Sequence, residues 1–231
     1  FRQKEDGYEP LLHQYNAKLY RNFTKNLLWH IESMQKYDGE LSFISGNHDS
    51  FRIADFLNDE ELRLAYLFIY TMPGVPYLFA GDELGQKTNR NLTSKEGGYQ
   101  RTGTRIPMVF DNTENRGFSK CKDVSKLYLP IDNETVSVME QLEDKNSLLN
   151  FIKELIKIRK SEDDLRSKDF KLLDKPLAYS RGKIKVFINL KDEDQKFEVE
   201  SGEILLSVGK VEFSAGKLVL KKHQAVIFKE A

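Results

Sequence analysis

Residues 43–49 read Phe43-Ile44-Ser45-Gly46-Asn47-His48-Asp49: an apolar pair gives way to small residues, then to an amide, an imidazole and a carboxylate. The apolar run from Leu41 to Ser45 is of strand length and ends on that polar triplet. Ahead of it, Pro10 opens a helical pattern in which Leu11, Tyr15, Leu19, Phe23, Leu27 and Ile31 recur about every four residues, fading near Tyr37-Asp38-Gly39. Behind it, Asp59 with acidic neighbours starts a second helix, Glu60 to about Tyr70, which Pro73-Gly74-Val75-Pro76 breaks. A second short strand, Tyr77 to Ala80, ends on Gly81-Asp82-Glu83. The order is helix, strand, helix, strand, and each strand delivers acidic residues at its C-terminal end. In a parallel α/β barrel that end carries the active site.

Residues 86–145 are rich in Gly, Asn, Thr and Asp with little periodicity, and a loop of that length is expected to be functional or disordered. Its repeated Arg and aromatic residues favour an ordered role. Asn146 then caps an amphipathic helix carrying Leu148, Leu149, Ile152, Leu155, Ile156 and Arg159. After Leu165 the texture changes to short apolar runs punctuated by Gly182, Gly202, Gly209 and Gly216, the pattern of a small antiparallel β domain. Tyr179 and Phe187 read as strand core. The boundary falls near residue 166, so the expected domains are 1–165 and 166–231.

With Lys+Arg and Asp+Glu both at 36, the formal net charge is zero. Nothing attracts nucleic acid or an anionic membrane, and no basic stripe appears. The most apolar stretch, Leu62 to Met72, is interrupted by Arg63 and is too short to cross a bilayer. The single cysteine, Cys121, can form no internal disulfide and has no partners at zinc-like spacing, so it reads as a partly buried loop thiol. No metal or cofactor motif is present. The start at Phe1, within the charged segment Phe1 to Asp6, reads as a cut inside a longer protein.

On residue types alone, Asp49 beside His48 and Asn47 fits a catalytic carboxylate with hydrogen-bonding neighbours. It fits a strand-end turn equally well, since Asn and Asp bond to their own backbone. Gly81-Asp82-Glu83 divides the same way, with helix capping as the ordinary explanation. Asp82 and Glu83 are adjacent, so they need not face each other as an acid/base pair.

The combination is more specific than its parts. Phe-x-x-x-Asn-His-Asp, about 24 residues ahead of Pro73-Gly74-Val75-Pro76, then Gly81-Asp82-Glu83-Leu84-Gly85, resembles the last two barrel strands of glycoside hydrolase family 13, the α-amylase superfamily. Arg101-Thr102-Gly103-Thr104-Arg105-Ile106-Pro107-Met108, followed by Asp111 and Asn115-Arg116-Gly117-Phe118-Ser119, is similar to a signature of its α-glucosidase and oligo-1,6-glucosidase branch. So is Gln141-Leu142-Glu143-Asp144 leading into Ser147-Leu148-Leu149. The resemblance implies an α/β plus all-β chain: the C-terminal part of a (β/α)8 TIM barrel, its last strands and helices, followed by a small antiparallel β-sandwich.

It also implies roles. Asp49 is the third essential carboxylate, stabilising the oxocarbenium-like transition state, and His48 and Asn47 belong to the same sugar-binding triplet. Arg52 stands where relatives carry an Arg at the pocket mouth. Arg105 stands where relatives pair an Arg with an early barrel acid and bind the non-reducing-end sugar, which implies an exo-acting pocket. Retaining cleavage uses two carboxyl groups about 5 Å apart, and a third adds several kcal/mol through hydroxyl contacts that tighten in the transition state. Asp49 fits that third role.

The family's Gly-x-Arg-x-Asp nucleophile motif and following Glu do not occur before residue 47. The chain is therefore expected to hold only the end of a retaining α-glycosidase acting on α-linked glucosides or oligosaccharides, and to be inactive alone. A partial barrel exposes strand edges, so a partner fragment, self-association or strand exchange is expected.

Departures are Val109-Phe110 where relatives carry Gln-Trp after Pro-Met, and Phe51 where they often carry Pro. Trp29, Tyr77, Phe79 and Phe110 are expected to pack in the core rather than stack on sugar. Two other functions compete with this reading. A catalytically dead amylase-like interaction protein is disfavoured by the intact Asn47-His48-Asp49 and Arg105. A carbohydrate-binding module in residues 166–231 is disfavoured by its lack of Trp.

Overall fold

A computed structural model describes residues 11, 12, 14–93, 101–173 and 177–231. Pro10 and the segment Phe1 to Asp6 lie outside the described residues. The chain forms two compact units, each built from separate stretches: Phe1–Phe43, Arg63–Pro76 and Leu155–Ala231 in one, Ile44–Leu62 and Tyr77–Glu154 in the other. This division differs from the change in texture near residue 166, where helix gives way to strands.

In the first unit, helix α1 (Ala17–Tyr37) begins well after Pro10, because the Asn16 side chain accepts the amides of Lys18 and Leu19 and fixes the start there. Leu11 and Tyr15, expected on its face, precede it. Its buried stripe is Thr24, Leu27, Ile31 and Met34. Trp29 lies off that stripe and is 63% exposed, so its expected core role is not what the structure shows.

Helix α2 (Asp59–Thr71) starts on a reciprocal cap one residue earlier than expected. Asn58 Oδ1 accepts the Glu61 amide at 3.0 Å, and Glu61 returns a carboxylate to the Asn58 amide at 2.9 Å. From Leu64 to Met72 every residue is buried, which explains the apolar run as a core helix rather than an amphipathic one. Phe68 is its aromatic centre, with ring centroids 5.7 Å from Phe23, 6.3 Å from Phe43 and 6.2 Å from Tyr179.

The last turn of any helix leaves carbonyls without partners. Here the following Pro73-Gly74-Val75-Pro76 offers few donors, and two arginines supply them. Arg159 donates to the carbonyls of Tyr70 at 2.8 Å, Met72 at 2.9 Å and Gly74 at 2.5 Å. Arg181, wholly buried, donates to the carbonyls of Thr71, Asp164, Leu165, Ser167 and Asp169. Burial, reinforced by the charge of Arg159, pulls its pKa down to about 10, still far above neutrality.

The C-terminal strands are β3 (Lys171–Leu172), β4 (Ala178–Arg181), β5 (Ile184–Ile188), β6 (Gln195–Glu198), β7 (Gly202–Val208), β8 (Glu212–Ser214), β9 (Lys217–Leu220) and β10 (Ala225–Glu230), close to the runs legible in the sequence. They form two antiparallel sheets, ordered β3-β4-β5-β10-β7 and β6-β9-β8. Ala178, Phe187, Val226 and Phe228 of the larger sheet share one apolar core with Phe197, Leu218 and Leu220 of the smaller. Tyr179 and Phe187 are buried, as expected of strand core.

Strands β1 (Ser42–Ile44) and β2 (Val75–Tyr77) pair with each other. The Val75 amide bonds the Leu41 carbonyl and the Ser45 amide bonds the Tyr77 carbonyl, so both strands advance in the same direction. In the second unit, residues 101–145 are ordered by short 3-10 turns and by a helix absent from the sequence expectation, α3 (Val138–Glu143). Ser137 and Glu140 cap it reciprocally, and these hydrogen bonds hold the Glu140 carboxyl down at about 2. Buried Gln141 donates to the Leu84 carbonyl at 2.9 Å and accepts the Leu149 amide at 3.1 Å. The cap of helix α4 (Leu148–Ser161) is Ser147, whose hydroxyl accepts the Asn150 amide at 3.1 Å; Asn146 stands one residue too early to reach it.

Removing Arg181 leaves buried carbonyls without donors, each costing about 1–3 kcal/mol. Arg181→Ala is expected to cost about 4 kcal/mol or more in urea denaturation of the chain. A loss under about 1 kcal/mol would show that water satisfies those carbonyls instead.

Candidate functional site

Both motifs singled out in the sequence lie in the second unit, and one carboxylate joins them. Asp82, fully buried after β2, receives the Ser45 hydroxyl on Oδ2 at 2.7 Å and the Arg52 guanidinium on Oδ1 at 2.8 Å. Ser45 follows β1 directly, and its Oγ also accepts the Phe79 amide at 3.0 Å. Arg52 is 2% exposed, donates to the Ala80 carbonyl at 2.9 Å and lies 4.7 Å from the Phe79 ring centre. Its side chain is turned inward to Asp82 rather than toward Asp49, because a guanidinium out of water needs a carboxylate partner. Removing one member of such a pair typically costs about 3–5 kcal/mol.

Asn47-His48-Asp49 is the bend between those two anchors. Asn47 Oδ1 accepts the Asp49 amide at 2.9 Å, so the strand-end turn is real. The Asp49 carboxylate is not used in that turn. Its Oδ1 accepts from Arg101 at 2.7 Å and from Arg105 at 3.0 Å, and its Oδ2 lies 3.3 Å from His48 Nε2. Arg105 Nε also donates to the His48 carbonyl at 3.0 Å, which fixes the guanidinium against the loop backbone. Partial desolvation pushes Asp49 up, but the charge of Arg101 and the hydrogen bond from Arg105 outweigh it and hold the carboxyl below the usual aspartate range. The side chain is 46% exposed, so the ionised carboxylate is accessible.

The turn Thr102–Arg105 is placed by close packing. A Cβ on Gly103 would fall 1.9 Å from the Asn89 carbonyl oxygen, so only glycine permits that approach, and the Asn89 amide bonds the Gly103 carbonyl at 3.1 Å. Thr88 Oγ1 lies 3.5 Å from Thr104 Oγ1 and accepts the Arg52 amide at 3.0 Å. The arginine turn and the Asp49 loop are thus built on one segment.

Gly81 adopts φ 94°, and a Cβ there would lie 2.1 Å from Gln86 Oε1 and 3.0 Å from an Arg52 nitrogen. Glu83 accepts the Gly81 amide at 2.8 Å, and its burial pushes its pKa up. Asp82 and Glu83 therefore serve the local framework and form no facing acid/base pair.

The structure brings Asn47, His48, Asp49 and Arg105 together and places Arg52 behind them. It adds Arg101, which the sequence offered only as the first residue of a motif. Tyr77 and Phe110, expected to pack inside, are 55% and 44% exposed, while Phe79 lies against Arg52. Cys121 is half-buried, its thiol donating to the Asp123 carbonyl at 3.2 Å. Among the described residues no group of His, Cys, Asp and Glu could hold a metal ion, and no helix is long and apolar enough to cross a membrane.

A family model described as the catalytic domain of alpha amylase matches residues 3–168, and the chain belongs to that family, glycoside hydrolase family 13. It is 29% identical over 249 residues to a glucan 1,6-alpha-glucosidase of Streptococcus pneumoniae, covering 90% of this chain and 44% of that protein. It is 26% identical over 194 residues to an oligo-1,6-glucosidase of Parageobacillus thermoglucosidasius, covering 64% of this chain and 34% of that one. The solved trehalose-6-phosphate hydrolase of Bacillus licheniformis shares its fold with a TM-score of 0.71 at 21% identity, covering 91% of this chain and 46% of that one. The trehalulose synthase of Pseudomonas mesoacidophila does so with a TM-score of 0.68 at 22% identity, covering 83% of this chain and 43% of that one. The chain thus spans less than half the length of these relatives. The family and these neighbours identify part of a TIM-barrel domain, with antiparallel sheets beyond it.

Arg101 supplies the largest of the influences that lower Asp49. Arg101→Gln is expected to raise the Asp49 titration midpoint toward the ordinary aspartate range, followed by carbon NMR of the carboxyl. The sign follows from linkage: a carboxyl depressed in the folded state stabilises it above the unfolded pKa, and that contribution fades as pH falls through the folded value. The variant should narrow this acid window. An unmoved midpoint would assign the depression to Arg105 and His48.

Proposed function

We propose that this chain is the C-terminal portion of a retaining α-glycosidase acting on α-linked glucosides or oligosaccharides. In this assignment residues 1–165 complete a (β/α)8 barrel and residues 166–231 form a trailing β-sandwich. The observation that carries it is Asp49: an accessible carboxylate in the loop that follows β1, held ionised by Arg101 and Arg105 and flanked by His48.

Each residue has a task in that chemistry. As the glycosidic bond breaks, positive charge grows on the anomeric carbon and ring oxygen, and hydrogen bonds to the neighbouring hydroxyls strengthen. Asp49 accepts those hydroxyl protons and, being ionised, stabilises the growing charge. His48 and Asn47 border the same sugar, and Arg105, beside Asp49, binds the non-reducing-end unit. Arg52 contributes from behind by fixing the loop. The nucleophile and the acid/base belong to preceding barrel strands. The names of the two glucosidase relatives support the substrate class, and the intact triplet favours an enzyme over a dead homologue.

The chain alone is expected to release no product from an aryl α-glucoside or from isomaltose; clear turnover would overturn the assignment of the other carboxyls to preceding residues. In the enzyme containing those strands, Asp49→Asn should lower kcat/KM by roughly 10³-fold, about 4 kcal/mol of transition-state stabilisation. A loss under about tenfold would remove Asp49 from the chemistry.

A further inference from the structure

We propose that Asp82 is the positioning residue of the Asp49 loop, its two carboxylate oxygens tying down the two ends of residues 45–52 so that Asp49 meets Arg101 and Arg105. Its importance for catalysis rests on the glycosidase assignment; the placement does not.

The geometry carries the inference. Ser45, at the first end, donates to Oδ2 at 2.7 Å, and Arg52, at the second, donates to Oδ1 at 2.8 Å. The side chains at the loop's two ends thereby converge on one carboxylate. Between them the Asn47–Asp49 bond tightens the bend and leaves the Asp49 carboxylate pointing out to Arg101 and Arg105. Asp82 is fully buried, so it acts through the loop rather than on a substrate. Only an ionised carboxylate offers both ends a charge-assisted acceptor. An amide has a single acceptor oxygen and must turn its NH2 toward one of the two.

A purely structural Asp82 would stabilise the unit without placing Asp49, and the two roles separate experimentally. Arg52→Met/Asp82→Leu replaces a buried pair by apolar groups, an exchange that is often neutral or stabilising. Ser45→Ala removes one tether and leaves the ion pair. Asp82→Asn keeps the shape and loses the double acceptor. For each variant of the chain, the urea midpoint reports stability and the Asp49 carboxyl titration, by carbon NMR, reports loop position.

The expected result is an Asp49 midpoint raised toward the ordinary aspartate range in the double variant even where its stability matches wild type, and a smaller rise in Ser45→Ala. An Asp49 midpoint unchanged in Ser45→Ala, or at its wild-type value in a stable double variant, overturns the proposal. Should Asp82→Asn or the double variant fail to fold, Ser45→Ala decides alone. In the enzyme carrying the preceding strands, Asp82→Asn should lower kcat more than it raises KM, and Asp82→Glu should restore part of it. Total absence of glycosidase activity in that enzyme, with the titration shift present, would sink the glycosidase assignment and leave the positioning role standing.

Discussion

The Arg52–Asp82 ion pair is the constraint on which the rest of the second unit turns. Two charges removed from water are costly, and mutual attraction alone rarely offsets that cost. Here each charge is given further partners: Asp82 takes the Ser45 hydroxyl, while Arg52 reaches the Ala80 carbonyl and lies against Phe79. The ends of both barrel-type strands and the return of the loop between them meet at that point. The neighbouring glycine follows from the same crowding, since any side chain at position 81 would strike Gln86 and Arg52.

A similar logic places Arg105. Gly103 lets its turn press against the backbone of Asn89, and Thr88 holds the Arg52 amide while approaching Thr104. The turn that carries Arg105 to Asp49 is thus placed by packing against Asn89 and Thr88, before any contact with Asp49 is counted. Such preorganised electrostatics is how a site stabilises charge without rearranging when charge appears.

Much of the fold was legible from periodicity and punctuation. The helix–strand–helix–strand order, the end of the second helix near Pro73 and the C-terminal strands followed from apolar spacing and glycine, but the second strand runs over Val75–Tyr77, inside the expected breaker, rather than from Tyr77 to Ala80. Ends were read less well, because side-chain hydrogen bonds decide them: Asn16, Asn58 and Ser147 set helix starts that apolar spacing extended or misplaced. Helix α3 was missed because six residues show too little periodicity, although Ser137 and Glu140 stand at capping-box spacing. Of the site, the triplet and Arg105 were recognisable as a motif. The inward turn of Arg52 and the part played by Arg101 were not, since both depend on partners many positions away: Asp82 for Arg52 and Asp49 for Arg101. Spacing along the chain does not encode which way a guanidinium turns.

The capping of α2 by distant arginines bears on how the chain acquires its shape during synthesis. The carbonyls at the end of α2 wait for donors 85 to 110 residues downstream. A ribosome adds about 5–20 residues per second, so that helix end stays open to water for several seconds after it is made. Over that interval the most apolar helix among the described residues lacks its final restraints.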